Sequence, residues 1–420
     1  MRRNRTTFQK VKIIDHCEIT SSKRIFADEY LSSGVPFYRG KEISEKQRSS
    51  SEVSELIYIS REKFEGIKSK YGAPQKGDLL LTSVGTIGNP YLVKENEEFY
   101  FKDGNLTWFR NFKEIDGQWL YYWLLSPQGK SELNKCTIGS SQKAYTISLL
   151  YGMQIELPDF PTQSRIVFVL SAYDDLIENN EKRIKILEEM AQRLYVEWFV
   201  RFKFPGHKKA KMIDSGTEYG KIPEGWEVKR LDGFIQPQYG YTTSAVDKTS
   251  GTQFLRGMDI NKTSYINWSS VPYCDIEASG KSKYIIKKGD IFIIRMADPG
   301  KIGICEKQVD AVFASYLMRL KIKNCLTNYY LFYFLISEKY QNFVVGSSSG
   351  TTRKSINSKQ VGAINILAPD KKALEAFESK VSILRSKIAN LLDQNQNLSK
   401  TRDLLIPQLV TGKRKLNNLS

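Results

Sequence analysis

Apolar residues recur in alternating steps of four and three from Ile166 through Leu170, Tyr173 and Ile177 to Asn180, then through Ile184, Leu187, Ala191 and Leu194 to Trp198. That period of 3.5 is the seam of a coiled-coil helix. A second seam runs through Leu374, Phe377, Val381, Leu384, Ile388, Leu391, Asn395, Leu398, Arg402 and Leu405. Each seam carries one asparagine, and each helix would be about 60 Å long. Laid antiparallel, the two helices bring Asn180 opposite Asn395, a polar pair that fixes register at a cost in stability. A lone amphipathic helix usually packs on its own domain. Two of matched length, each following a similar block of sequence, predict a pair that clamps two domains. Asp370 reads as an N-cap, Pro407 as a bend or end of the second helix, and Gly412 as its stop.

The blocks before the helices repeat one plan. Phe37-Tyr-Arg-Gly-Lys-Glu-Ile43 matches Phe254-Leu-Arg-Gly-Met-Asp-Ile260, and Val11-Lys-Ile-Ile-Asp15 matches Val228-Lys-Arg-Leu-Asp232. Further along, Lys76-Gly-Asp78 matches Lys288-Gly-Asp290, Gly85-Thr-Ile-Gly88 matches Gly300-Lys-Ile-Gly303, and Ile155-Glu-Leu-Pro158 matches Ile366-Leu-Ala-Pro369. The preserved order marks an internal repeat. Gly77-Asp78 and Gly289-Asp290 read as turns feeding short apolar strands. Trp119 to Leu125 and Tyr329 to Ile336, apolar all round, read as buried helices at equivalent places. The expected fold is α+β: two homologous domains of mixed, mainly antiparallel strands with helices, separated by two long antiparallel coiled-coil helices in a pseudo-two-fold internal repeat. The expected boundaries are a first domain at 1–160, a helix at 161–205, a polar, Gly-rich linker at 206–221, a second domain at 222–369, a helix at 370–412 and a basic tail at 413–420.

Charge changes the picture. The chain carries a formal +17, yet the stretches Thr162 to Phe204 and Asp370 to Gly412 hold only 0 and +2, so 15 of the 17 lie outside them. A basic excess on globular parts predicts a polyanionic partner for those parts. Cys17, Cys136, Cys274, Cys305 and Cys325 stand far apart, and only His16 and His207 could join them, which argues against a disulfide framework or a zinc site. No stretch has the apolar length of a membrane span, and the basic start has no apolar core, so the chain is expected in the cytoplasm.

Catalytic patterns fail in turn. Asn89-Pro90-Tyr91 lacks the second proline of an amino-methyltransferase loop and reads as a turn. Pro369, Asp370, Glu378 and Lys380 imitate a nuclease motif, but Asp370 and Glu378 lie more than two turns apart on one helix. No phosphate loop of the GxxxxGK(S/T) kind occurs. What recurs is a pair of small, polar loops in each block: Thr82 to Asn89 with Gly139 to Tyr145, and Arg295 to Gly303 with Gly346 to Lys354. Hydroxyls, amides, glycine-exposed N–H groups and cationic side chains are the groups that contact phosphates and base edges. The candidate DNA contacts are Arg39, Lys41, Ser83, Thr86, Ser140, Ser141, Gln142, Lys143 and Tyr145 in the first block. In the second they are Arg256, Arg295, Lys301, Thr351, Thr352, Arg353 and Lys354.

Leu176-Ile-Glu-Asn-Asn180, Ile186-Leu-Glu-Glu-Met-Ala191, Glu197-Trp-Phe-Val-Arg-Phe202 and Phe204-Pro-Gly-His207 resemble the central conserved region of type I restriction-modification specificity subunits. Ile222-Pro-Glu-Gly-Trp-Glu227 resembles that family's entry to its second recognition domain, and Leu404-Leu-Ile-Pro-Gln-Leu409 its C-terminal helix ending. The resemblance spans essentially the whole chain. It implies a non-catalytic reader of double-stranded DNA: two target recognition domains reading an asymmetric bipartite target, with the helices setting the spacer. Two methyltransferase subunits holding S-adenosylmethionine, and nuclease subunits using ATP and Mg2+, are the implied partners, so no cofactor is expected on this chain. The alternatives are an antirestriction decoy that sequesters methyltransferase subunits and, from a different class, a stand-alone nuclease.

Overall fold

The computed structural model describes residues 8–48, 56–139, 143–246, 248, 250–261, 263, 265–323, 325–348 and 354–414. Two compact units share the chain. One gathers the residues up to Arg183 with those from Leu391 onward; the other is Ile184–Asn390. Each long helix therefore gives part of itself to each unit.

In the first unit, Gln9–Lys12 pairs antiparallel with Gln154–Leu157, so the two ends of the block meet. Between them lies a four-stranded antiparallel sheet in the order Glu18–Thr20, Leu106–Arg110, Leu79–Thr82, Pro90–Leu92. A three-stranded sheet follows the order Ile57–Ile59, Val35–Tyr38, Tyr100–Phe101, its second pairing parallel. Leu79 to Thr82 is buried at every residue, as an apolar run must be when both sheet faces are covered. The helix Gly117–Leu125 starts where Asp116 accepts the N–H groups of Gln118 and Trp119. Its Trp119, Leu120 and Leu124 join a core with Ile166 and Leu170 of the first long helix and Ile406 and Val410 of the second.

The second unit repeats this topology. Glu227–Arg230 pairs with Asn365–Ala368. The four-stranded sheet runs Ile235–Tyr239, Leu317–Ile322, Ile291–Ile294, Ile302–Ile304, and the three-stranded one Tyr273–Cys274, Thr252–Leu255, Ala311–Phe313, again with one parallel pairing. The helix Asn328–Ile336 buries Tyr330, Leu331 and Phe334 against Tyr195, Phe199 and Phe377 of the long helices. The Phe199 and Phe377 rings meet edge to face at 5.0 Å.

The long helices are Phe160–Tyr195, continued by a wider π turn at Val196–Val200, and Lys371–Val410. Every seam position is buried or half-buried. In the first unit Asn180 Nδ2 donates to Asn395 Oδ1 at 2.8 Å, Asn395 Nδ2 to the Ile177 carbonyl at 3.3 Å, and Arg402 pairs with Asp174. In the second, Arg385 lies 3.9 Å from Glu188. Numbers rising on one helix and falling on the other make the pairing antiparallel within each unit. Arg385, only 1% exposed, also grips Glu306 of the second domain through two bonds of 2.7 Å. Burial alone would push its pKa down, yet the Glu306 carboxylate holds it above the ordinary value.

Four expectations need correction. The first long helix stops at Val200, because the π turn leads into Phe202 with φ at 56°. The second runs through Pro407 to Val410; a proline in the last turn forfeits one hydrogen bond to the residue four before it, and Thr411 Oγ1 caps the Pro407 carbonyl at 2.6 Å. Pro90 begins an edge strand rather than sitting in a turn, since an edge tolerates a missing donor. The supposed linker is folded: Met212–Asp214 pairs with Lys221–Pro223, the Tyr219 hydroxyl donates to the Asn365 carbonyl at 3.0 Å, and Phe204 packs on Trp226 at 4.8 Å. Asp370 ties the domain entry to the second helix, its carboxylate capping the Ala373 N–H at 2.8 Å and accepting Trp226 Nε1 at 2.9 Å.

Candidate nucleic-acid interface

Backbone hydrogen bonds bring the candidate loops of each block together, and they do so identically. In the first, Ser83 N–H donates to the Asn105 carbonyl at 2.8 Å, Tyr145 N–H donates to the Ser83 carbonyl at 3.0 Å, and Val84 bridges Ala144. In the second, Arg295 N–H donates to the Tyr316 carbonyl at 3.0 Å, Ile356 N–H to the Arg295 carbonyl at 2.9 Å, and Met296 bridges Ser355. Position for position, Ser83 answers Arg295, Asn105 answers Tyr316 and Lys143 answers Lys354.

The same bonds correct a register. Gly88 N–H meets the Thr82 carbonyl and Gly300 N–H the Ile294 carbonyl, both at 2.9 Å. Gly88 therefore answers Gly300, and Asn89 answers Lys301. The lettered match of Gly85 with Gly300 is shifted by three residues. Both structural glycines take positive φ, 87° and 89°, which favours glycine. A Cβ on Gly300 would stand 2.7 Å from Val344.

A third segment borders these loops. Gly40 lies against Val84 and Thr82, and Gly257 against the Ile294 side chain. The arginines before these glycines serve the frame. Arg39 N–H donates to Glu42 Oε2 at 2.7 Å while its guanidinium reaches Oε1 at 2.5 Å; Arg256 does the same to Asp259 at 2.8 and 3.1 Å. A carboxylate at this position accepts the backbone N–H that the helical turn leaves orphaned. Burial pushes the Glu42 carboxyl up, but the Arg39 side chain and backbone N–H groups hold it below the usual range.

Ser83 and Tyr145 are turned into the domain. Ser83 is 3% exposed, its hydroxyl at 2.7 Å from Thr107 Oγ1. Tyr145 is buried in the core beside Gly88, and burial pushes its phenol up. Thr86, Lys143, Lys301, Lys354 and Lys41 are exposed, and Arg295 is half-buried. Ser140, Ser141, Gln142, Thr351, Thr352 and Arg353 lie outside the described residues. The sequence reading missed Tyr239, whose ring lies 4.3 Å below the Arg295 guanidinium, and Tyr316, 55% exposed beside it. Only the strand equivalence points to them, because neither sits in a repeated motif.

Among the described residues no group of three or more His, Cys, Asp or Glu side chains could hold a metal ion, and no helix is long and apolar enough to cross a membrane. Comparison with known proteins agrees with the repeat. Residues 6–189 and 223–402 each match the type I restriction modification DNA specificity domain. The type I restriction enzyme MjaIX specificity subunit of Methanocaldococcus jannaschii is 26% identical over 429 residues, covering 98% of this chain and 94% of that protein. The type I restriction enzyme HindI specificity subunit of Haemophilus influenzae is 22% identical, covering 81% and 87%. A crystal structure of the type I restriction-modification S subunit from M. genitalium shares the fold at a TM-score of 0.56, with 14% identity and 97% of each chain covered. With both halves matched and the fold repeated in each, the chain belongs to the type I restriction-modification DNA specificity family, as a specificity subunit that is itself non-catalytic.

Proposed function

We propose that the two domains read two different half-sites of one bipartite DNA target, and that the long helices set the unread spacer between them. The supporting observation is a common frame with unlike side chains. Each domain joins the same three segments by the same backbone bonds, yet Ser83 stands where the other has Arg295, and Asn105 where it has Tyr316. Exposed Lys143 and Lys354, at equivalent points, suit phosphate contacts that position each domain without reading sequence. Lys41, Thr86 and Lys301 are the further candidate contacts, with Ser140, Ser141, Gln142, Thr351, Thr352 and Arg353 in the adjoining loops. The Asn180 to Asn395 bond supports a register role for that pair. Two methyltransferase subunits would dock on the helices and domains and hold S-adenosylmethionine; nuclease subunits would bring ATP and Mg2+. The proposed division is domains at 1–160 and 222–369, each followed by its long helix.

Inserting one heptad into each long helix tests the spacer role. The expected result, read by competition binding of the assembled complex on duplexes of graded spacing, is a new preferred spacer with both half-sites unchanged. An unchanged spacing preference would contradict it.

A further inference from the structure

Arg295 is built differently from Arg39 and Arg256, the other described arginines of the two candidate surfaces. Its guanidinium stacks on Tyr239 at 4.3 Å, and Nη1 donates to the Ser315 carbonyl at 3.3 Å. Tyr239 is itself held, its hydroxyl accepting the Ser358 N–H at 3.1 Å and lying 3.2 Å from Ser358 Oγ. Arg39 and Arg256 are neutralised by Glu42 and Asp259, whereas no carboxylate among the described residues lies within ion-pair distance of Arg295. Its Nε is buried without a hydrogen-bond partner. With Nε buried, a guanidinium fixed on one face by an aromatic ring, tied at Nη1 and unneutralised is pre-organised to present the remaining N–H groups of Nη1 and Nη2 as a fork.

Two acceptors side by side on the partner match that fork. A phosphate offers them, and so does guanine in the major groove, through O6 and N7. Stacking and the Ser315 tie fix the direction of the side chain, which a diffuse phosphate contact does not require and a base contact does. Exposed Lys301 and Lys354, on neighbouring segments of the same domain, are the cations left to meet the backbone under this reading. Resting on the proposed reading of two half-sites, we infer that Arg295 reads a guanine in the half-site of the second domain, with Tyr239 as its positioning residue. Ser83, its structural counterpart, reads nothing in the first.

The test uses the full chain assembled with its methyltransferase partner. Methylated adenines are first mapped for the unaltered complex, then for Arg295→Ala, Arg295→Lys and Ser83→Ala. The inference expects Arg295→Ala to relax one G·C position of the second half-site and leave the first half-site intact, while Ser83→Ala changes neither. Competition binding with 7-deazaguanine, which lacks N7, should weaken the unaltered complex by about 10- to 100-fold at that one guanine and leave Arg295→Ala indifferent. Arg295→Lys keeps the charge and a donor able to reach O6 and N7, so it guards against misfolding and should restore part of the discrimination that Arg295→Ala loses. Uniform weakening across all sequences, or an unchanged motif in Arg295→Ala, would each overturn the inference. The two readings fail separately: a complex that methylates no bipartite motif removes the half-site reading and this one with it, whereas a bipartite motif indifferent to Arg295 removes this one alone.

Discussion

At matched points of the two central sheets the domains solve one problem with different chemistry. Leu80 faces Trp108 across the first sheet and Phe292 faces Arg319 across the second. Trp108 Nε1 donates to Asp78 at 2.9 Å, the acid of one Gly-Asp turn; Arg319 Nη1 donates to Asp290 at 2.8 Å, the acid of the other. Arg319 is 2% exposed and also donates to the Ile285 carbonyl and to Gln238 Oε1, both at 2.6 Å. The lesson is that the backbone plan and the turn acid are kept while the donor is exchanged. A domain whose core tolerates tryptophan for arginine can also exchange the side chains on its surface, and its recognition can diverge without loss of fold.

The comparison can be broken most forcefully at that donor. Arg319→Met removes the buried cation from Asp290, which keeps the Lys287 N–H at 2.8 Å, and leaves the Ile285 carbonyl and Gln238 without their donor; it should destabilise the second unit by about 3–5 kcal/mol. Trp108→Phe removes one hydrogen bond from Asp78, which keeps the Gln75 N–H at 2.9 Å, and should cost the first unit about 1–2 kcal/mol. Urea unfolding of the intact chain would show the difference as unequal shifts in midpoint. Equal shifts would mean that the two donors do the same energetic work.

A smaller effect sharpens the contrast in how each domain grips its share of the helices. The second domain uses the buried Arg385 to Glu306 pair, whereas the first reaches the first long helix through Lys94 and Glu178, with Lys182 of that helix beside them. The Lys182 and Lys94 ammonium groups hold the Glu178 carboxyl down from 4.5 to about 2. A depressed carboxyl stabilises the fold above its unfolded pKa, so this contribution is complete above about pH 5 and fades as the pH falls toward 2. Solvent screening keeps it under about 1 kcal/mol. Glu178→Gln should therefore cost less than that at pH 7 and nothing near pH 2, as measured by unfolding at both pH values.

The long helices were legible because a period of 3.5 sustained over ten seam positions rarely arises by chance, and Asn180 and Asn395 stood out as polar breaks in it. The repeat was legible because Gly-Asp turns and apolar strands recur in order. What the letters concealed was direction. Arg39 and Arg256 look like free cations in a shared motif, yet the carboxylate three residues on pairs with each one. Ser83 sits in a polar loop, yet Thr107 on the neighbouring strand claims its hydroxyl. The match of Gly85 with Gly300 followed identity, while the true register follows the carbonyls of Thr82 and Ile294. Arg295 was visible as a cation, but its footing on Tyr239 depends on a pairing of distant strands that no local pattern reports.

The most direct test of two unlike readers on one frame is a map of methylated adenines in cells that express the chain with the proposed methyltransferase partner. The account predicts a single bipartite motif whose two halves differ in sequence and are separated by an unread spacer of fixed length. Two identical inverted halves, or one continuous motif, would contradict it.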